Sequence, residues 1–327
     1  MRIFSFPHVV IYELMEQFEP TGLVSLSFCS KKAHAFVKTF SKIQDDLEIK
    51  YSFGNEYAYE VGFPRCSLIR VHSEGSRSLD TLDLKTHQGF KHSFDRLGCC
   101  NTSWEDVVHG CRESTNYICA LFKIPVSTVI VGSEEDLWLL DFAQQRQDQK
   151  LKEVLAFEMF DVSAEGFSRM MSSNATETIE CLLCPPDDYR FNGKLPSAKN
   201  LLIVPAFWIT REHLLGLESQ NAQLFNVNLT SSDVGALLKS WLNGGLPNLK
   251  HLYFNNVESS YQPLDGLVDQ LEAVQETVTY TWGPFRSRRP FNTDAFHIRR
   301  DDGVVATVEI GESFCMAVWP DLDGKLV

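Results

Sequence analysis

No run in this chain approaches the roughly eighteen consecutive apolar residues that a membrane-crossing helix needs. The amino terminus carries Arg2, but the stretch after it is broken by His8 and Glu13 and lacks the pattern of a signal peptide. An intracellular protein, cytoplasmic or nuclear, is the expectation. Basic residues are also short: 30 Lys and Arg against 43 Asp and Glu give a net charge of −13, which disfavours broad capture of a phosphate backbone. The basic patches that do occur, Ser287 to Arg289 and the pair Arg299 and Arg300, read as solvated surface. Nine irregularly placed Cys cannot all pair within one chain and suit reduced, mostly buried thiols.

The usual signatures of chemistry are missing as well. Cys181 and Cys184 have ligand-like spacing, yet a lone CxxC is half of a four-ligand zinc site and no second pair matches it. Cys99 and Cys100 are adjacent and hard to place around one tetrahedral ion. His87, His92, His109 and His213 form no HExxH or other ligand pattern, and no glycine-rich phosphate cradle, GxSxG elbow or paired-carboxylate motif occurs. No catalytic residue, cofactor or metal is assigned on this basis, and an enzyme is not expected.

What is present is ample material for a core. Apolar residues make up 44% of the 327, with 23 Phe and 6 Trp, which excludes wholesale disorder. The first segment, from Phe6 to Phe40, has helical spacing. Pro7 suits a helix start because its missing N–H would be unpaired there, and Val10, Leu14 and Phe18 recur every four residues as an apolar stripe. Pro20 interrupts, Thr21 is placed to cap a second helix with Leu23 and Leu26 on its apolar side, and a third begins near Ser30. Its inward positions are Ala33, Phe36, Val37 and Phe40, while Lys31, Lys32, Lys38 and Lys42 favour solvent or an acidic partner. Three helices this short bury little by themselves and need a further surface.

From Leu47 the period shortens to that of strands: LEIKYSF, YAYEVGF and SLIRV. HSEGSRS reads as a loop and Ser103 to Ser114 as a helix. Strand-like runs then begin at Val126, Lys152, Glu177, Asn200, Gln223 and Asn248. Helical stretches fall between several of them: EEDLWLLDFAQQR, SAEGFSRMM, TREHLLGLE and SSDVGALLKSW. Their spacing of 23 to 26 residues lies in the range of leucine-rich repeat units. The implied architecture is a row of strand–helix units, each leaving an apolar face for its neighbour; a mixed sheet with ordinary right-handed crossovers predicts nearly the same spacing. Gln262 to Gln275 reads as a helix, followed by terminal strands at TVTYTW, AFHIRR, VVATVEI and SFCMAVW, with Asp301 to Gly303 as the turn of a terminal antiparallel hairpin. The fold class expected is mixed α+β and α/β: a three-helix module over 1–45, a connecting mixed segment over 46–125 and a strand–helix domain over 126–327.

Phe6-Pro7, Val10, Leu14, Phe18, Leu23, Leu26-Ser27, Cys29-Ser30 and Phe36 resemble an F-box, with Phe6 and Ala33 where Leu and Trp are usual. The segment LTSSDVGALLKSWLNGGLPNLKHLYF, from Leu229 to Phe254, is similar to the signature of the nematode F-box-associated domain. FHIRRDDGVVATVEIGESFCMAVW, from Phe296 to Trp319, is similar to that family's terminal hairpin. This resemblance implies a non-catalytic substrate receptor of an SCF-type ubiquitin ligase, in which the F-box holds the adaptor subunit and the associated domain holds an unidentified protein substrate. The positions expected on the adaptor are Pro7, Val10, Leu14, Leu23, Leu26, Lys31 and Lys32. The alternative is a protein-binding scaffold that does not engage a ligase, with its amino-terminal helices packed within the chain.

Overall fold

The computed structural model describes residues 6–52, 58–76, 85–87, 90–256, 271–283 and 286–326. The chain forms two compact units, Met1–Leu151 and Lys152–Val327.

The first unit opens with α1 (His8–Glu16), α2 (Pro20–Phe28) and α3 (Lys31–Phe40). Pro20 does not interrupt a helix but starts one, as the first residue of α2 after Glu19, where proline's fixed φ is already helical; Thr21 therefore lies inside the helix. Ser30 caps α3 by accepting a hydrogen bond from the Ala33 N–H at 3.1 Å. Behind the helices lies a sheet of β1 (Leu47–Tyr51), β2 (Tyr59–Phe63), β3 (Cys66–Ser73), β4 (Lys85–His87), β5 (Phe90–Phe94), β6 (Cys100–Trp104) and β7 (Val126–Ile130), in the order β7-β1-β2-β3-β6-β5-β4. β7, where the sequence opens the strand–helix domain, runs parallel to β1 inside this unit.

α4 (Val107–Phe122) packs on β2, β3 and β6. Its N-cap is Asp106, whose carboxylate accepts from Val108 and His109 N–H. The start expected at Ser103 is incorrect because Ser103 and Trp104 are paired to β3 as the end of β6. Gly110 lets α4 approach: a Cβ there would meet the Trp104 indole at 2.5 Å.

The surface that the three short helices need is α4 and this sheet. The Phe28 ring sits among Phe90, Phe94, His92 and Tyr117, with centroids 4.6 to 5.7 Å away. Ser27 Oγ hydrogen-bonds Tyr117 Oη at 2.7 Å, and His34 reaches the same hydroxyl. Burial pushes the Tyr117 phenol well above its ordinary pKa, so the hydroxyl stays protonated and keeps this bond. α1 is held more lightly, by His8 and Tyr12 on the Phe40 ring and by Lys42 over Tyr12.

The second unit holds β8 (Leu151–Ala156), β9 (Ala175–Cys181), β10 (Asn200–Ile203), β11 (Asn221–Leu224) and β12 (His251–Asn255) side by side in chain order. β9 through β12 are parallel. α6 (Ala164–Met171), α7 (Arg211–Leu215) and α8 (Ser231–Leu242) lie between successive strands; α5 (Trp138–Arg146), preceded by a 3₁₀ turn, follows β7 in the first unit. The leucine-rich-repeat-like row of strands and helices is thus present, with strand starts within three residues of those read from the sequence.

Alternate residues explain the layers. Ile179, Cys181, Leu201, Ile203, Ala222, Leu224, Leu252 and Phe254 are buried on one face, as are Phe167, Met170, Leu214, Leu237, Leu238 and Trp241 of the helices. α8 is fastened at its start by a capping box, in which Thr230 and Asp233 exchange hydrogen bonds. It leaves through Gly244 at φ +85°, a left-handed conformation that costs glycine little.

The sheet ends antiparallel, with β18 (Ser313–Val318) on β12, β17 (Val305–Ile310) on β18, β16 (Phe296–Arg299) on β17 and β13 (Glu272–Ala273) on β16. The turn at Asp301–Gly303 has Gly303 at φ +86°. Of the helix expected at Gln262 to Gln275, residues 262–270 lie outside the described residues, and Glu272–Ala273 are strand. A separate two-stranded ribbon, β14 (Val278–Trp282) with β15 (Ser287–Phe291), completes the unit.

Replacing Phe28 by Ala removes the ring that docks the helices and is expected to cost about 3 to 5 kcal/mol. Val10→Asp, on the exposed side of α1, is expected to cost within about 0.5 kcal/mol. Urea denaturation of the two variants checks the contrast.

Candidate functional site

Two surfaces stand out. The first is the outer side of α1. Ile11 and Met15 turn inward, while Val9 is 73%, Val10 42% and Phe18 40% exposed. Pro7 is exposed and Leu14 half-buried on the same side, and Lys31 and Lys32 are exposed on the first turn of α3. The structure thus brings Pro7, Val10 and Leu14 together on one stripe, continued by Phe18. Leu26 is half-buried on α2, and Leu23, at 2% exposure, lies in the core of the module. Val9 is the addition the four-residue period misses, since it sits one position off the stripe.

The second surface is the face of β9–β12 opposite the helices. Its first row is Thr178, Asn200, Asn221 and His251, and its second is Glu180, Leu202, Gln223 and Tyr253, each aligned across the parallel register. Asn221 Nδ2 donates to Asn200 Oδ1 at 2.9 Å, and Asn200 Nδ2 donates to the Glu177 carbonyl at 3.1 Å. These amides form a directed ladder across the strands.

The ribbon β14–β15 covers one end of this face. Tyr280 Oη lies 2.9 Å from the Lys250 carbonyl and 3.0 Å from that of Val318 and donates between them. Trp282 stacks on His251 at 4.1 Å. Arg289 lies over Tyr253 and makes two 3.0 Å hydrogen bonds to the Glu309 carboxylate. The expectation that Ser287 to Arg289 is merely solvated surface is therefore corrected for Arg289: it fastens the ribbon, while Arg288 is exposed. Arg300 is likewise engaged, over the Trp241 ring and with Asp302. Beneath the ribbon, Val274, Tyr280, Phe291, Cys315, Ala317 and Trp319 make a second core.

Beyond the ribbon, the sheet face is open among the described residues. Two adjoining hollows of about 350 and 200 Å³ share Asn200, Asn221, Trp282 and Gly283. One continues to Lys199, Gln220 and Lys250 at the strand starts, the other to Thr178, Glu180 and Gln223. Burial first, and the Glu153 carboxylate second, push the Glu180 carboxyl above its ordinary range. The cleft escapes a reading of the sequence because ETIEC and NLLI look like continuous core strands. The available signal is the asparagine that opens both NLLI and NAQL. A third hollow, of about 390 Å³, lies beyond the ends of β9 to β11 among Asp187, Arg190, Arg211 and Asp233, where Arg211 and Asp233 pair at 2.7 Å.

Cys181 is buried, and burial pushes its thiol up to about 12. No group of three or more His, Cys, Asp or Glu among the described residues is arranged to hold a metal ion, and no helix among them is long and apolar enough to cross a membrane.

Comparison with known proteins places these features in context. A family model described as "F-box associated" matches residues 190–254, the stretch containing β10, β11, α7, α8 and all but the last residue of β12. That match supports an F-box-associated, substrate-binding role, and such domains are non-catalytic interaction modules. The chain is 21% identical to an uncharacterized protein of Caenorhabditis elegans, F59B2.9, over 94% of its own length and 74% of the relative's. No solved structure matches it.

His251 provides a check on the ribbon's closure. Burial first and Arg289 second lower its pKa from 6.5 to about 3. Between those values the unfolded chain binds a proton that the folded chain refuses, so stability is intact above pH 6.5 and declines as the pH falls toward 3. His251→Phe keeps a ring against Trp282 and removes the titration. Its unfolding free energy, measured by urea denaturation, is expected to fall less steeply than that of the native chain across this window, by up to about 1.4 kcal/mol per pH unit.

Proposed function

We propose that this protein is a substrate-recognition subunit of an SCF-type E3 ubiquitin ligase, with residues 1–45 as an F-box that docks the adaptor and the strand–helix domain receiving a protein substrate. The observation that carries this reading is the exposed stripe on α1. Pro7, Val10, Leu14 and Phe18, with Val9 one position off the stripe, present apolar surface although Phe28, Ser27 and His34 lock the other side of the module onto its own unit.

An adaptor seated on this stripe buries apolar area, which supplies most of the affinity. Lys31 and Lys32 at its rim favour an acidic partner and contribute about 0 to 1 kcal/mol each. Leu26, half-buried on α2, extends the contact, while Leu23 serves from the core of the module. The protein's contribution to ubiquitin transfer is placement: it raises the local concentration of substrate at the ligase, while other subunits and the conjugating enzyme carry the chemistry. The F-box-associated match over 190–254 supports the substrate-binding half.

A second reading is a scaffold that recognises protein without a ligase, and the packing of α2 and α3 onto α4 and the sheet favours it. The two readings separate on the adaptor. Purified native chain is expected to bind recombinant SCF adaptor in an equilibrium assay, and Val10→Asp with Leu14→Asp is expected to weaken it at least 30-fold, about 2 kcal/mol, with unchanged circular dichroism. Failure of the folded native chain to bind the adaptor would overturn the ligase assignment.

A further inference from the structure

We propose that the open face of β9, β10 and β11, walled by Trp282, binds an extended peptide segment with a lysine or arginine of that segment against Glu180. This deepens the substrate-receptor reading by naming what the domain takes, and it rests on that reading only for the origin of the peptide.

The dimensions suit a chain rather than a compact ligand. From Glu177 to Glu180 the cleft follows a strand for about 10 Å at 3.3 Å per residue, the length of about three extended residues. β10 and β11 are interior strands whose main-chain groups are already paired on both sides, so the segment cannot join the sheet by its edge and must be read by side chains. Those side chains are amides and a hydroxyl. An amide donates and accepts as a peptide group does, and Asn200 and Asn221 are held in orientation by their ladder to the Glu177 carbonyl. Gln223 and Thr178, both half-buried, make no side-chain hydrogen bond among the described residues.

The wall is firm. Trp282 is clamped on His251 at 4.1 Å, so it flanks the cleft without collapsing into it and offers an aromatic surface to the aliphatic stem of a basic side chain.

Charge selects the occupant. Glu180 is half-buried and, among the described residues, has neither a hydrogen bond nor an ion pair for its carboxylate, while the Glu153 carboxylate repels it. A cation there offsets the repulsion and satisfies the carboxylate at once. At the other end Lys199 is drawn 3.8 Å from Glu177, so the free negative charge lies at the Glu180 end and sets the direction of the segment.

The test uses the full chain and a biotinylated heptapeptide library in which each position is fixed in turn as Lys, Arg, Glu or Leu. The native chain is expected to prefer Lys or Arg at one position at least ten-fold over Glu. Glu180→Lys is expected to reverse that preference toward Glu, Glu180→Gln to abolish it, and Asn221→Leu to weaken all peptides without changing it. Retention of no peptide by the native chain, or a basic preference that survives Glu180→Lys, overturns the proposal. The Glu180→Gln variant, nearly the same size and shape, guards against misfolding, with matched denaturation midpoints as the check. Adaptor binding is measured on the same preparations. Adaptor binding without peptide selection overturns only the cleft, and peptide selection without adaptor binding overturns only the ligase reading.

Discussion

The parallel register of β9 to β12 is the constraint on which the second unit depends. Ile179, Leu201, Ala222 and Leu252 stand in one row and Thr178, Asn200, Asn221 and His251 in the neighbouring row. Because successive side chains point to opposite faces, a slip of one residue in any strand would send a polar residue, asparagine in β10 and β11, into the core and an aliphatic to the opposite face. The hydrophobic layer under the helices and the polar floor of the cleft are therefore two consequences of one alignment. Burial of the first row fixes it, and the second row is carried along.

The ribbon β14–β15 turns that face into a site. Were the ribbon to extend across all four strands, the sheet would have a core on both sides and no place for a partner. It instead covers β12 and β18, anchored by Tyr280 to the carbonyls on either side and by Arg289 to Glu309, and ends with Trp282 at the margin. His251, stacked beneath Trp282 and kept neutral by burial, lies beside the amide ladder without charging it. Among the described residues, the amides and Glu180 are left uncovered.

The amino-terminal module shows the same division between a locked and an open side. Phe28 and Ser27 commit α2 to α4 and β5, and α3 follows through His34, so these helices borrow the core that their own length denies them. α1 touches mainly α3 and keeps its apolar stripe outward. This stripe does not hold the fold together, since removing Val10 from the exposed side leaves the Phe28 cluster intact.

Much of this was legible in the chain itself. Four-residue spacing of Val10, Leu14 and Phe18 announced α1, and the recurrence of strand-like runs announced the row of units, because burial of one face imposes its period on the sequence. Thr230 with Asp233 closes the start of α8, and Gly244 after Trp241 its end, through capping chemistry that acts over a few residues. The start of α4 was misplaced since Ser103 is a good N-cap by type, and only its pairing with β3 shows that a strand claims it. Arg289 and Glu309 stand twenty residues apart and meet only when β15 crosses the sheet. The cleft was equally out of reach: Asn200, Asn221, Glu180 and Trp282 are joined by strand register and by where a ribbon lands, and these are set by long-range packing. Sequence by itself determined the three short helices and the row of strands with the helices between them, and where their apolar residues recur, as those follow from local periodicity; β5 and β15, which carry no such period, were not among them. Tertiary structure decided which polar residues share a surface and which apolar ones stay uncovered, as both depend on neighbours distant along the chain.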